Sequence, residues 1–236
     1  IFQNNKEENG SETINSYPTL VLICKRPAIG FGKQRLAQSI GKEQALSIAN
    51  SLLACALEDL YHWPGEVVIS PSHAADYDWA VALLERPVTV IAQREGNLGE
   101  RINQLDSSLR SAGYIQTIYI GSDAPILGGK EYQEIVKALT ISDIALCPAF
   151  DGGVTIMANR QPWPDLCSLG WSTASLGGQL ASLCRSHNLK VQITKSSYDL
   201  DNIHQLAKLA RDLLHDSREA RQQLLQEINQ LTRPDK

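Results

Sequence analysis

The sequence predicts an α/β fold in three layers, a mostly parallel mixed sheet with helices on both faces. Three observations predict it. Apolar runs of strand length alternate with segments of helical spacing along most of the chain. The first run, Thr19 to Cys24, is continuously apolar, as expected of a strand covered on both sides. A length of 236 residues with 43% hydrophobic and 20% charged content suits a single large core.

Each element follows in turn. A polar tail, residues 1–17, precedes the first strand, and the main domain is expected over 18–215. After Cys24 comes a glycine-containing loop, Pro27 to Lys33, and then apolar residues at helical spacing from Lys42 to Leu60. Further strands are predicted at Glu66 to Ser70, Val88 to Ala92, Thr117 to Gly121 and Asp143 to Pro148. Helices are predicted between them, near Ala74 to Leu84, Gly99 to Ser111 and Glu131 to Leu139. Val154 to Ala158 reads as a strand only a few residues after Pro148, and so short a connection suits antiparallel pairing. Helices at Thr173 to His187 and Asn202 to Leu213 flank a strand near Lys190 to Thr194. The segment 216–236 carries a last helix, Ser217 to Leu231, with Leu224, Leu225, Ile228 and Leu231 on one face. Such a stripe packs on its own domain or across a homodimer, and the domain is the expected destination.

Composition excludes several classes. A net charge of −4 and a pI near 5.8 argue against sequence-independent nucleic-acid binding, which needs clustered uncompensated Lys and Arg. A local basic group at Lys25, Arg26, Lys33 and Arg35 still suits a small anionic ligand. The five cysteines are odd in number and widely spaced, with no C-x-x-C pair, and are expected to be reduced. Apolar runs fall short of the roughly 20 residues that span a bilayer, and the first residues lack a signal-peptide hydrophobic stretch. No membrane insertion and a cytoplasmic location are expected.

In a parallel sheet, ligands bind beyond the carboxyl ends of the strands, so chemistry is sought there. The loop after the first strand holds Gly30 and Gly32, which let backbone amides approach a phosphate, with Lys33 and Arg35 supplying charge. It is not a Walker A loop, since Pro27 and Gln34 stand at required Gly and Ser/Thr positions. A solvated basic loop is the alternative. Asp123 ends the strand at 117–121 and could ligate Mg²⁺ or simply cap a turn. Asp151 precedes Gly152 and Gly153, a favoured hairpin dipeptide context. Asp199 and Asp201 share a face if extended, so both could reach one cation, while Asp201 could also cap the helix at Asn202. None of His62, His73, His187, His204 and His215 falls in a motif, and structural or surface placement is expected for all five.

In order, the segments K-x-P-x-x-G-x-x-K-x-R-L, Q-x-E-G-x-L-G-x-R, G-S-D-x-P, P-x-x-D-G-G, W-S-T and D-x-D resemble the nucleotide-diphospho-sugar transferases. The resemblance covers about residues 19 to 210 and is to the branch associated with radical-SAM or selenium-domain proteins. That branch is similar to guanylyltransferases acting on phospholactate or molybdopterin. It implies a GT-A, Rossmann-like fold. It also implies that Gly30, Lys33 and Arg35 meet the nucleotide phosphates with Lys25 nearby, and that Gln93, Gly96, Leu98 and Gly99 line the nucleobase pocket. Asp123, Asp199 and Asp201 would hold Mg²⁺ or Mn²⁺. On chemical grounds Asp123 and Lys33 would then be catalytic by stabilising the charge of the leaving group, and if the reaction needs a base, Asp151 is the candidate. Gly152, Gly153, Trp171, Ser172 and Thr173 would belong to acceptor-side loops. Gln34 and Val154 depart from the family's Thr and aromatic residue. Expected partners are a nucleotide sugar or nucleoside triphosphate and a small-molecule acceptor. Glycosyl transfer is the leading reading, nucleotidyl transfer the alternative, and a decayed nucleotide-binding module the third.

Overall fold

The computed structural model describes residues 17–232. The predicted polar tail therefore lies, apart from Tyr17, outside the described residues. Seven strands form one sheet: β1 (Thr19–Cys24), β2 (Val67–Pro71), β3 (Thr89–Val90), β4 (Thr117–Ile120), β5 (Ile144–Pro148), β6 (Val154–Asn159) and β7 (Val191–Ile193). Their spatial order is β3-β2-β1-β4-β6-β5-β7. β1 pairs in parallel with β2 and β4, β2 with β3, and β5 with β7, whereas β6 runs antiparallel to both β4 and β5. The sheet is mixed, mostly parallel, and carries helices on both faces.

Side-chain alternation explains the two-sided burial. In β1, Leu20, Leu22 and Cys24 join one core cluster and Val21 the other; in β5, Ala145 and Cys147 take the first and Ile144 and Leu146 the second. The first cluster is closed by α2 (Lys42–His62) and α5 (Gly129–Leu139). The second is closed by α4 (Leu98–Ser111) and α6 (Leu176–Ser186). A third cluster lies outside the sheet. There α1 (Gln34–Ile40), the outer face of α2, α7 (Ile203–Asp212) and α8 (Glu219–Leu231) bury Leu36, Ile48, Leu52, Leu206, Leu209, Leu224 and Ile228.

Several elements differ from their sequence-based bounds. The predicted helix at 74–84 is a 3₁₀ turn, Ala74–Asp76, followed by the short α3 (Tyr77–Val81). The strand predicted over 88–92 keeps only two paired residues, because β3 is an edge strand with one neighbour. No helix is predicted between the loop at Pro27 to Lys33 and Lys42, yet α1 begins at Gln34, with Leu36 fully buried against the third cluster. The helix predicted from Thr173 starts at Leu176, because Ser172 adopts a left-handed φ of 64° and Thr173 turns back on Gly170. Among the described residues, no helix is long and apolar enough to cross a membrane.

Candidate functional site

At the carboxyl end of β4 the chain leaves the sheet through Gly121-Ser122-Asp123-Ala124-Pro125. Pro125 has no N–H to offer a strand ladder, and the amide of Leu127 closes a turn on Ala124 O at 3.1 Å. Asp123 is thereby left at the surface of the turn, its side chain 40% exposed. A second segment arrives after β7. Ser197 donates to Pro148 O at 2.8 Å and accepts from Phe150 N at 3.1 Å, so it continues the sheet beside the end of β5. Tyr198 and Leu200 are buried, and alternation turns Asp199 and Asp201 the other way. Leu200 N then donates to Asp123 O at 2.8 Å and ties the two segments together.

Three carboxylates converge as a result: one oxygen from each of Asp123, Asp199 and Asp201 lies within 4.8 Å of the other two. The capping alternative for Asp201 does not occur. Asn202 is the cap of α7, accepting from His204 N at 3.0 Å, which leaves the Asp201 carboxylate for the cluster. Lys33 faces the same point. Its Nζ lies 3.3 Å from Asp123 Oδ2, 3.3 Å from Asp201 Oδ1 and 2.5 Å from Leu200 O. Its backbone is left-handed, with φ 42° and ψ 36°, a conformation that L-residues adopt at a cost of about 1–2 kcal/mol. Burial pushes the Asp199 carboxyl up to about 6, and the negative charges of Asp123, Asp201 and Asp151 push in the same direction.

This donor set fits Mg²⁺ or Mn²⁺. All three side chains offer hard carboxylate oxygen, with neither thiolate nor imidazole at the cluster, and all three are only partly buried, so water can complete a coordination shell. Among the described residues, all five histidines are exposed and none belongs to the cluster.

The other sequence-predicted residues are distributed as follows. Gly30 and Gly32 take φ of 79° and 70° in an exposed turn closed by Phe31 N on Ala28 O, at 3.0 Å. Lys25 and Arg35 are exposed and make no ion pair among the described residues. Gln93 is buried, and its amide nitrogen donates to Ser70 O at 2.8 Å, fastening the end of β2. Gly96 precedes a capping box in which Asn97 and Glu100 satisfy each other's backbone amides, and Leu98 packs into the second cluster. Gly99 has no room for a side chain, since a Cβ there would stand 2.1 Å from Leu166 O and 2.7 Å from Trp171 Nε1. The segment 93–101 thus docks on the 166–171 loop. Asp151 Oδ1 accepts from Gly153 N at 2.9 Å, so the turn reading of Asp151 is realised, and its carboxylate remains exposed. Gly152 has φ 92°, and a Cβ on it would stand 1.9 Å from Ala174 O; its carbonyl accepts from Gly177 N at 2.9 Å. Trp171 is half-buried and donates to Leu166 O, while Ser172 and Thr173 are exposed.

A family described as "uncharacterized protein conserved in bacteria (DUF2064)" matches residues 52–173. The chain belongs to that family. No curated protein matches. Among solved structures, this DUF2064 protein is similar to one from Desulfovibrio desulfuricans G20 provisionally named a nucleotide-diphospho-sugar transferase. The two share 24% identity over 90% of this chain and 96% of the other, with a TM-score of 0.81. It is also similar to a cytidylyltransferase from Leptospira borgpetersenii serovar Hardjo-bovis, at 14% identity over 92% and 98% of the two chains, with a TM-score of 0.50. The fold of this DUF2064 chain is therefore that of the nucleotide-diphospho-sugar transferases, as its motifs implied.

Sequence reasoning missed one set of residues behind this site. Arg221 is fully buried and pairs with Glu58 at 2.9 Å and Asp59 at 2.7 Å, while Arg218 pairs with Asp59 at 3.0 Å. The available signal was position. Arg221 lies three, four and seven residues before Leu224, Leu225 and Ile228, on the very face read as apolar.

Proposed function

We propose that this protein is a metal-dependent transferase that uses a nucleotide-activated donor, with glycosyl transfer from a nucleotide sugar as the reaction. The observation that carries this reading is the convergence of Asp123, Asp199 and Asp201 with Lys33 at the carboxyl ends of the strands. The likeness in fold to a protein named for nucleotide-diphospho-sugar transfer agrees with it.

In this reading, Asp123, Asp199 and Asp201 hold Mg²⁺ or Mn²⁺, which when bound supplies positive charge for the diphosphate of the leaving nucleotide. Lys33 pairs with Asp123 and Asp201 and turns its ammonium to a phosphate oxygen when donor is bound. Arg35 and Lys25, both exposed, attract the polyanion. The amides of the 28–33 turn line the donor side. Asp151 accepts the proton of the acceptor hydroxyl as the nucleophile attacks. Gly152, Gly153 and the 171–173 segment shape the acceptor side, because the contact of Gly152 with Ala174 binds the two loops into one wall.

Nucleotidyl transfer, with pyrophosphate leaving, is the second reading, favoured by the likeness in fold to a cytidylyltransferase. One experiment separates them. The protein is incubated with Mn²⁺ and a panel of nucleotide sugars or nucleoside triphosphates, and released nucleoside diphosphate and pyrophosphate are measured. Nucleoside diphosphate released from a nucleotide sugar, lost in Asp123→Ala, is the expected result. Pyrophosphate from a triphosphate alone selects the second reading. Release of neither, with no metal-dependent nucleotide binding, overturns both.

A further inference from the structure

We infer that Arg221 is a positioning residue for the Asp123 turn, acting from α8 through the backbone to set metal affinity. This rests on the proposed metal site. The guanidinium is completely enclosed, and each of its five N–H groups meets an acceptor. Nε donates to Pro125 O at 3.1 Å; one terminal nitrogen donates to Cys55 O and to Glu58 Oε2 at 2.9 Å; the other donates to Asp59 Oδ2 at 2.7 Å and to Leu127 O at 3.3 Å. Two of those acceptors, Pro125 and Leu127, belong to the turn that begins at Asp123. Arg218 adds a bond to Leu127 O at 2.7 Å and shares Asp59, which is held in turn by Tyr132 OH at 2.9 Å.

The turn is gripped from two sides. On its outer side, Leu200 N holds the carbonyl of Asp123, and on its inner side Arg221 holds the carbonyls two and four residues later. Asp123 must meet Asp199 and Asp201, which come from a separate segment, so a small relaxation of the turn changes the spacing of the carboxylates directly. A planar fork with five fixed donors can span Pro125, Leu127, Glu58 and Asp59 together, whereas a lysine ammonium has three donors at one point. Residues that orient metal ligands typically contribute about 10- to 100-fold in affinity. Arg221 is placed to do so without touching the ion.

Two variants test this, with free Mn²⁺ counted by electron paramagnetic resonance in full-length protein. Arg221→Lys keeps the charge and loses the fork. The triple variant Arg221→Met, Glu58→Gln, Asp59→Asn leaves no buried acid without its arginine. Both are expected to fold, by circular dichroism, and to bind Mn²⁺ at least about tenfold more weakly than wild type. Folded variants with affinity within twofold of wild type overturn the inference while leaving the metal site standing. Loss of folding in both makes Arg221 a stability residue only, and also overturns it. Failure of wild-type protein to bind Mn²⁺ removes the metal site itself and the inference with it.

Discussion

Leu200 donates its backbone amide to the carbonyl of Asp123 at 2.8 Å, across 77 positions of chain, and this bond ties together the two segments that carry the acidic cluster. The residues on either side of Leu200 are Asp199 and Asp201, so the bond places both carboxylates against the third. Lys33 Nζ also reaches Leu200 O, which makes Leu200 the backbone hub for acids and counter-ion alike.

Asp123→Ala is expected to lower turnover by about a hundredfold or more, the typical loss when one group stabilising transition-state charge is removed. Thermal unfolding should barely move, since the side chain is 40% exposed and takes no part in core packing. Turnover within a few-fold of wild type would remove Asp123 from the chemistry.

Asp199 carries a pH dependence of definite sign. Its folded carboxyl titrates near 6, above the ordinary Asp value of 3.8, so the folded state binds its proton more tightly than the unfolded state. Stability contributed by the protonated form is present below about pH 4 and is lost as pH rises to 6. Asp199→Asn should therefore raise the metal-free melting temperature at pH 7, and the gain should vanish at pH 4. Calorimetry at the two pH values checks this. A variant less stable than wild type at pH 7 would contradict the crowding of negative charge described for the site.

Gly152→Ala should destabilise the protein by more than about 1 kcal/mol, because a left-handed φ of 92° and a Cβ 1.9 Å from Ala174 O both oppose it. Gly178→Ala, in α6 on the other side of that contact, is the control, since nothing lies within 4 Å of its Cβ position. Denaturant midpoints for the pair give the comparison, and equal midpoints would show that the two loops do not form one wall.

Thiol reactivity should be low throughout. Burial pushes Cys24 and Cys55 up to about 12 and Cys184 to about 11, and it also raises Cys147. Cys167, the least buried, is raised by its bond to Asp165. In native protein at pH 7.5 an aromatic disulfide reagent should titrate Cys167 slowly and the other four only after unfolding. Rapid labelling of any of those four would mean that its helix or strand opens.

Much of the fold was legible from local pattern. The continuous apolar run of β1 announces a strand covered on two faces, the shorter apolar run of β5 announces a further strand, and the short step from Pro148 to Val154 announces an antiparallel pair. The bounds that slipped did so for local reasons of a different kind: β3 is cut short by its edge position, and α6 is delayed by a left-handed Ser172 that composition does not reveal.

By itself, then, the sequence determined the element order, the mixed sheet and the residue types able to bind a cation, because periodicity and side-chain chemistry are properties of neighbours along the chain. Only the tertiary structure decided that β6 separates β4 from β5, that Lys33 reaches both Asp123 and Asp201, and that Arg221 bonds to the turn that follows Asp123. Those relationships join positions from 90 to 168 residues apart for Lys33, and 96 for Arg221 and Pro125. They follow from how the sheet closes and how α8 is buried on α2, and no local pattern encodes such pairings.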